Sequence, residues 1–437
     1  MEYIKNVFYE RNSKYIAEYQ ELRRKYGDTV IGEITIEQVL SGMKGMPALL
    51  TETSNLDPLT GIRFRGYSIP EIREKLPRLD PDGEPLPEGL LYLMLVGEIP
   101  EKEDVLNISK NLSTRAHVPQ YVFDVIDALP KTTRPMTQFN TAIIAAAPES
   151  IFQKAYRSGV HKKYYWDFMY DDVLNLIAKL PRIAAYIYRR CYHKDQHIDP
   201  DPRLDWAGNL AHMMGFESKE VKRLLRLYMV IHADHEGGNV SAHTTHLVGS
   251  TLSNPYYAFG AGMLGLAGPL HGYANQDVMA WIYDMVNELG TDKPSKEQLE
   301  NYVKQTLQGG RVVPGYGHAV LRVTDPRFTA QQEFAKRYIR EDNIVDIVNN
   351  LYDVVPPILG EIGKISNPWP NVDAYSGALL HHFGIKEYAF YTVLFGVARS
   401  LGVLSSLVLS RLYGLPIERP TSHPLEWFKE QARLANS

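Results

Sequence analysis

Residues 278–290 read VMAWIYDMVNELG, and in them Val278, Trp281, Ile282, Met285, Val286 and Leu289 recur at intervals of three and four before Gly290. That spacing lines six apolar side chains along one face of a helix, with a glycine where the helix should stop. The same period runs through residues 4–26, 90–98, 102–116, 164–192, 217–232, 296–307, 328–339, 343–363 and 387–412. Period-two alternation occurs only near Thr29–Thr35 and Ile62–Tyr67. The expected fold class is mainly α, multi-helical with very little β. Pro181, Pro255, Gly268-Pro269, Gly309-Gly310, Pro356-Pro357 and Pro368–Pro370 mark turns or kinks within it.

The chain has 437 residues, 44% hydrophobic and 22% charged, a balance that excludes disordered, collagen-like and low-complexity classes. Its net charge of −4 provides no global field for gripping nucleic acid, so no nucleic-acid partner is expected. The single cysteine, Cys191, excludes an internal disulfide framework. One stretch, Tyr388 to Ser410, is long enough to cross a bilayer, with 22 uncharged residues around Arg399. A central arginine costs roughly 2.5–3.5 kcal/mol in lipid, and Gly396, Gly402, Ser405 and Ser406 suit close helix contact. The stretch reads as a buried helix, with no membrane role expected.

Chemistry concentrates between residues 232 and 271, where five of the 14 histidines fall. His232, Asp234, His235 and Glu236, or His243 with His246, could be read as metal ligands. No H-E-x-x-H motif exists, however, because Asn239 breaks it, and Gly237-Gly238 would break a shared helix face; no metal is expected. His243 and His246 suit hydrogen-bonded places on a helix. His235 precedes two glycines, where backbone can approach a ligand. His271 stands ahead of the helix carrying Val278 to Leu289, whose positive end disfavours an imidazolium and leaves a neutral ring able to donate to a developing oxyanion. His318 lies in RVVPGYGHAVLR, a glycine-bearing loop that can clasp a flat ring or be an ordinary turn. Asp373 in NPWPNVDAYSG could cap a helix or act as a base. Arg327, Arg399 and Arg419 are candidate anion receptors, and Arg399, amid apolar residues, requires carboxylate partners.

The segments HADHEGGN (232–239), GLAGPLHGYANQ (265–276), RVVPGYGHAVLRVTDPR (311–327), NPWPNVDAYSG (367–377) and the Arg399/Arg419 pair resemble citrate synthases of the dimeric, mitochondrial type. ETSNLDPLTGIRFRGYSIPE (52–71) is similar to that family too. The resemblance implies a large helical domain of residues 1–272 and 385–437 and a small inserted one of residues 273–384 that closes over it. It implies that acetyl-CoA and oxaloacetate condense to citrate, with CoA as co-substrate and no permanently bound cofactor. Asp373 would take the methyl proton, His271 would stabilise the enolate, and His318 would polarise the oxaloacetate carbonyl. His235, Arg327, Arg399 and Arg419 would hold the oxaloacetate carboxylates, Arg419 reaching across a homodimer. Val312, Val313, Gly315, Tyr316 and Gly317 would receive the CoA adenine, with Arg322 and Lys364 near its phosphates. Lys44 and Lys162 stand where dimeric members carry phosphate-contacting arginines, which keeps the charge but loses the planar fork.

An ordinary aspartate, with a pKa of about 3.9, is a poor base for a thioester methyl, so burial of Asp373 and a donor on the nascent oxyanion are required. A 2-methylcitrate synthase differs by one methylene of substrate, worth only about 1–3 kcal/mol. A silent helical scaffold and a metal hydrolase are the readings from other classes. The N-terminal sequence MEYIKNVFYERNSKY lacks an apolar or Arg/Ser-rich leader, which gives a cytoplasmic expectation, with the mitochondrial matrix as the alternative for a processed form.

Overall fold

The computed structural model describes residues 2–363 and 367–435. Among these are twenty α-helices, three short 3-10 turns and one sheet of three antiparallel strands. The sheet joins Ser54–Asp57, Gly61–Phe64 and Tyr67–Ser68, with Ser54 opposite Phe64 and Phe64 opposite Tyr67. It accounts for the alternation at Ile62–Tyr67. The stretch Thr29–Thr35 forms no strand; it is exposed and has no neighbouring strand to pair with.

Each segment of helical period forms a helix, among them Tyr165–Tyr192, Lys219–Ile231, Ala274–Leu289, Pro326–Tyr338 and Asn343–Glu361. Pro181 lies inside the first of these and Pro356-Pro357 inside the last, so neither site is a turn. Helices such as Trp206–Met214, Pro255–Leu266 and Gln120–Asp127 lack a long amphipathic stretch and form on tertiary contacts and caps; Asp205 and Asn254 cap the first two.

The Tyr391–Tyr413 helix is the axis of the molecule. Nearly all its residues are buried, packed by Tyr165–Tyr192, Val240–Ser250, Pro87–Val96, Glu2–Tyr26, Pro255–Leu266 and Lys219–Ile231. It is the apolar stretch that could have spanned a membrane, and it lies in the protein core. Gly402 makes the closest approach: a Cβ there would lie 2.4 Å from Asp234 Cβ, and its N–H donates to the Ala233 carbonyl at 3.2 Å. The hydroxyls of Ser400, Ser405 and Ser410 donate to carbonyls one turn back, so no polar group of theirs is left bare in the core.

Ala274–Leu289, Lys296–Gln308, Pro326–Tyr338, Asn343–Glu361 and Asp373–His382 pack chiefly on one another. They meet the other helices through Lys219–Ile231, Ile69–Lys75 and Tyr391–Tyr413. Ion pairs cross the same seam: Arg73 to Glu333 at 2.6 Å and Arg337 to Asp82 at 3.1 Å. The candidate site lies where these two sets of helices face each other.

Candidate active site

Local chain geometry delivers each candidate side chain. The Lys219–Ile231 helix ends at His232, and the turn after it carries His235 before Asn239 caps Val240–Ser250. His271 sits in a tight turn two residues ahead of Tyr273, the cap position of Ala274–Leu289; the Gly272 N–H there donates to Leu266 O at 2.9 Å. The loop through Gly315 and Gly317 is stitched to the loop before Asp373: the Gly317 N–H donates to Trp369 O, and the Asn371 N–H donates to Gly315 O. Gly315 has φ +80°, and a Cβ there would lie 2.8 Å from Ala374 Cα, so only glycine lets the two loops close.

These turns bring His235, His271, His318, Asp373, Arg327 and Arg399 into one cluster, each within the electrostatic field of others. The His235 and His318 rings are 5.3 Å apart. Burial, helped by Arg327, pushes His318 down to about 4. Burial, helped by Arg399, pushes His271 down to about 4. Both rings are therefore neutral at pH 7.

Main-chain donors settle where their protons sit. The N–H groups of Val320 and Leu321 donate to His318 Nδ1 at 3.0 and 3.1 Å. A backbone N–H can only donate, so Nδ1 is bare and Nε2 carries the proton. The Ser241 N–H donates to His271 Nε2 at 3.3 Å, with Ser241 Oγ at 2.9 Å. In His271 the proton therefore sits on Nδ1. Each ring holds one N–H that its anchoring contacts do not consume.

Asp373 is the first residue of its helix, not the cap; Val372 holds the cap position and makes no side-chain cap bond. The capping reading fails, and the carboxylate is not used by the helix end. Burial raises it to about 6, against the opposing pull of Arg327, and its Oδ1 is buried without a hydrogen-bond partner. His235 Nε2 is likewise buried and unpartnered. Two orphaned polar atoms in one cluster are the mark of a site that binds.

Arg327 commits Nε and Nη2 to Asp325, with Nη2 at 2.6 Å from Oδ2. Burial alone would push Asp325 up, but the guanidinium outweighs it and holds the carboxylate below its ordinary value. Arg399 is 1% exposed, stacked 4.8 Å above the Phe395 ring. It donates to His232 O, Asn239 Oδ1 and Ser241 Oγ at 3.2–3.4 Å. Among the described residues no carboxylate lies within ion-pair distance of it; burial draws it down to about 10, against Asp234.

Other candidates lie outside the cluster. Arg419 is exposed, beyond the end of the Tyr391–Tyr413 helix. Lys44 and Lys162 are exposed, in a turn and in a 3-10 turn, and Lys364 lies outside the described residues. Arg322 is exposed and folds back, its Nη1 donating to the carbonyls of Ala319, Val320 and Leu321. Val312 is 79% exposed, while Val313 and the Tyr316 hydroxyl are buried. The metal-ligand quartet does not converge: His232 Nδ1 faces Tyr228 O, and Asp234 accepts from Thr53 and Ser54.

Sequence reasoning missed Asp325, Asn239 and Ser241. Asp325-Pro326 reads as a cap followed by a first-turn proline, and Asn239 as a cap too; that signal was in the chain. That these caps would also hold Arg327 and Arg399, and that Ser241 would hold His271, depends on folding.

The fold is that of solved citrate synthases. The enzyme of Pyrobaculum aerophilum superposes with TM-score 0.76 at 26% identity, over 91% of this chain and 98% of that one. A ternary complex of citrate synthase from Thermoplasma acidophilum with carboxymethyl coenzyme A and oxaloacetate gives TM-score 0.73 at 21% identity, over 87% and 94%. The family model "Citrate synthase, C-terminal domain" matches residues 42–421. Citrate synthase 4, mitochondrial, of Arabidopsis thaliana is 54% identical over 96% of this chain and 88% of its own. The mitochondrial citrate synthase of Saccharomyces cerevisiae is 50% identical over 96% and 88%. The chain belongs to the citrate synthase family. Its relatives are named for citrate, not 2-methylcitrate. They are named as mitochondrial, so the cytoplasmic expectation draws no support from them.

Proposed function

We propose that the cluster condenses acetyl-CoA with oxaloacetate and water to citrate and CoA. Asp373, raised to about 6, removes a proton from the acetyl methyl, and the Nδ1–H of His271 donates to the thioester oxygen as it gains charge. The Nε2–H of His318 donates to the oxaloacetate keto oxygen, and the enol carbon attacks that carbonyl to give citryl-CoA. Water then cleaves the thioester. Arg399, Arg327 and His235 hold the carboxylates of oxaloacetate, a dianion that answers the buried Arg399 guanidinium, which has no ionic partner among the described residues. The single observation that carries this reading is the pair of neutral imidazoles with opposite nitrogens protonated, in one cluster with a carboxylate whose proton affinity is raised.

Residues 273–384 move as a small domain against 1–272 and 385–437, with joints at Gly272 and near Gly384, and closure excludes water before the enolate forms. The CoA adenine lies on the backbone of Val312–Gly317, and Arg322 leaves its three carbonyls to meet a phosphate alongside Lys364, Lys44 and Lys162. Two chains form a homodimer in which Arg419 enters the partner's site. Exposed apolar side chains at Val30, Ile31, Ile34 and Leu40, and at Ile417 and Leu425, favour such a partner. The relatives' names favour the mitochondrial matrix as the place of action.

The test is CoA release from acetyl-CoA plus oxaloacetate, with propionyl-CoA as comparison. The reading requires a kcat/KM ratio favouring acetyl-CoA; a ratio favouring propionyl-CoA removes citrate as the main product.

A further inference from the structure

The later turns of the Val240–Ser250 helix carry a cluster that no step of the condensation uses. His243 and His246, one turn apart, both turn a ring nitrogen to the carboxylate of Glu418. His243 Nε2 lies 3.1 Å from Oε2, and His246 Nδ1 is hydrogen-bonded to Oε1. The Glu418 N–H donates to Ser250 Oγ at 3.1 Å. Three contacts from one helix thus fix a single residue in a segment, 414–424, that has no regular structure of its own. His246 Nε2 is buried without a partner among the described residues, so the carboxylate is the one hydrogen-bonded tie of that ring. The residue after Glu418 is Arg419.

We propose that Glu418 is a positioning residue: clamped by His243 and His246, it sets the direction in which Arg419 leaves its own chain to meet oxaloacetate in the partner's site. This rests on the reading that Arg419 crosses a dimer interface. The other end of the same helix holds Asn239 and Ser241, which anchor Arg399 and His271 of its own chain. Ser241 and Ser250 are nine residues apart, about 14 Å along a helix. One rigid rod therefore trues two sites, its own at the N-terminal end and the partner's at the C-terminal end. Without the clamp, Arg419 sits on a loose segment and must be ordered at each binding event, which weakens substrate binding more than it slows chemistry.

The experiment compares steady-state kinetics of Glu418→Ala, Glu418→Gln, Arg419→Ala and the Glu418→Ala/Arg419→Ala double variant, all as purified dimers. Glu418→Ala should raise KM for oxaloacetate roughly tenfold with kcat within about threefold, and should add nothing on the Arg419→Ala background, the mark of two residues acting as one. Glu418→Gln keeps the shape and one acceptor oxygen; it should show a smaller rise in KM and serves if the alanine variant does not fold. Mixed dimers pairing an Asp373→Ala protomer with a Glu418→Ala protomer give the sharper readout. Their one live site takes Arg419 from the chain whose clamp is intact, so its oxaloacetate KM should be that of wild type. A raised KM in that mixed dimer, or an unchanged KM in both Glu418 homodimers alongside a raised one in Arg419→Ala, overturns the proposal. An unchanged KM in Arg419→Ala overturns instead the reading beneath it.

Discussion

Burial raises the Asp373 carboxylate, the base of the proposed reaction, and that has consequences with opposite signs for activity and stability. Its folded pKa of about 6 lies above the ordinary carboxylate value, so the base is lost as pH falls through about 6. A plot of log kcat/KM against pH should show a limb of slope one below about 6, absent from the residual activity of Asp373→Ala. For stability, the folded state binds that proton more tightly than the unfolded chain. The cost of the buried charge is therefore fully present above about 6 and relieved progressively as pH falls from about 6 to the unfolded value of about 3.9. Asp373→Asn should raise Tm by on the order of a few degrees at pH 8, by about half as much at pH 5 and scarcely below about pH 4, measured by calorimetry. Asp373→Ala and His271→Ala should each lower kcat by about 10²–10⁴ while retaining oxaloacetate binding by titration calorimetry; near-normal turnover in either would contradict their assigned roles. The residue types and spacings of this cluster were legible in the chain. The tautomers were not, because they depend on the main-chain N–H groups of residues 241, 320 and 321 and on how those meet the rings in three dimensions.

Among the elements, the Tyr391–Tyr413 helix shows why a run of apolar residues is ambiguous and how packing resolves it. Its length and hydropathy suit a bilayer, and Arg399 and two glycines argue otherwise from sequence; burial among the surrounding helices decides the matter. Gly402 faces Asp234 at a distance that leaves no room for a methyl group. Gly402→Ala should destabilise the protein by about 1–3 kcal/mol in denaturant unfolding. By shifting the helix it should also weaken oxaloacetate binding, since Arg399 lies less than one turn away. Gln120–Asp127 escaped the periodicity reading because its buried face, Val122, Phe123 and Ile126, spans a single turn and never repeats, whereas the 278–290 stretch declared both its face and its end. Alternation at Thr29–Thr35 misled for the complementary reason: a strand needs a partner, which lies elsewhere in sequence.

For the molecule as a whole, the seam between the two sets of helices carries charge pairs at its rim. Arg73–Glu333 and Arg337–Asp82 are each partly exposed, worth about 0–1 kcal/mol. Removing both by Arg73→Ala and Arg337→Ala should raise KM for acetyl-CoA a fewfold with little change in kcat. It should also give a larger radius of gyration by small-angle scattering when oxaloacetate is present. Sedimentation equilibrium should return twice the mass of the chain. The division into moving units was suggested by glycine joints, but the seam itself joins residues 260 and 255 positions apart, invisible to any local pattern.

The amide hydrogens that dictate the bare nitrogens of His271 and His318 belong to the polypeptide spine, and no exchange of side chains can delete them short of proline. Neighbouring residues are thereby free to drift over generations without scrambling which nitrogen of either imidazole is left to donate. The catalyst's polarity is inherited with its loop shapes, and mutational wear has to bend those loops before it can erase it.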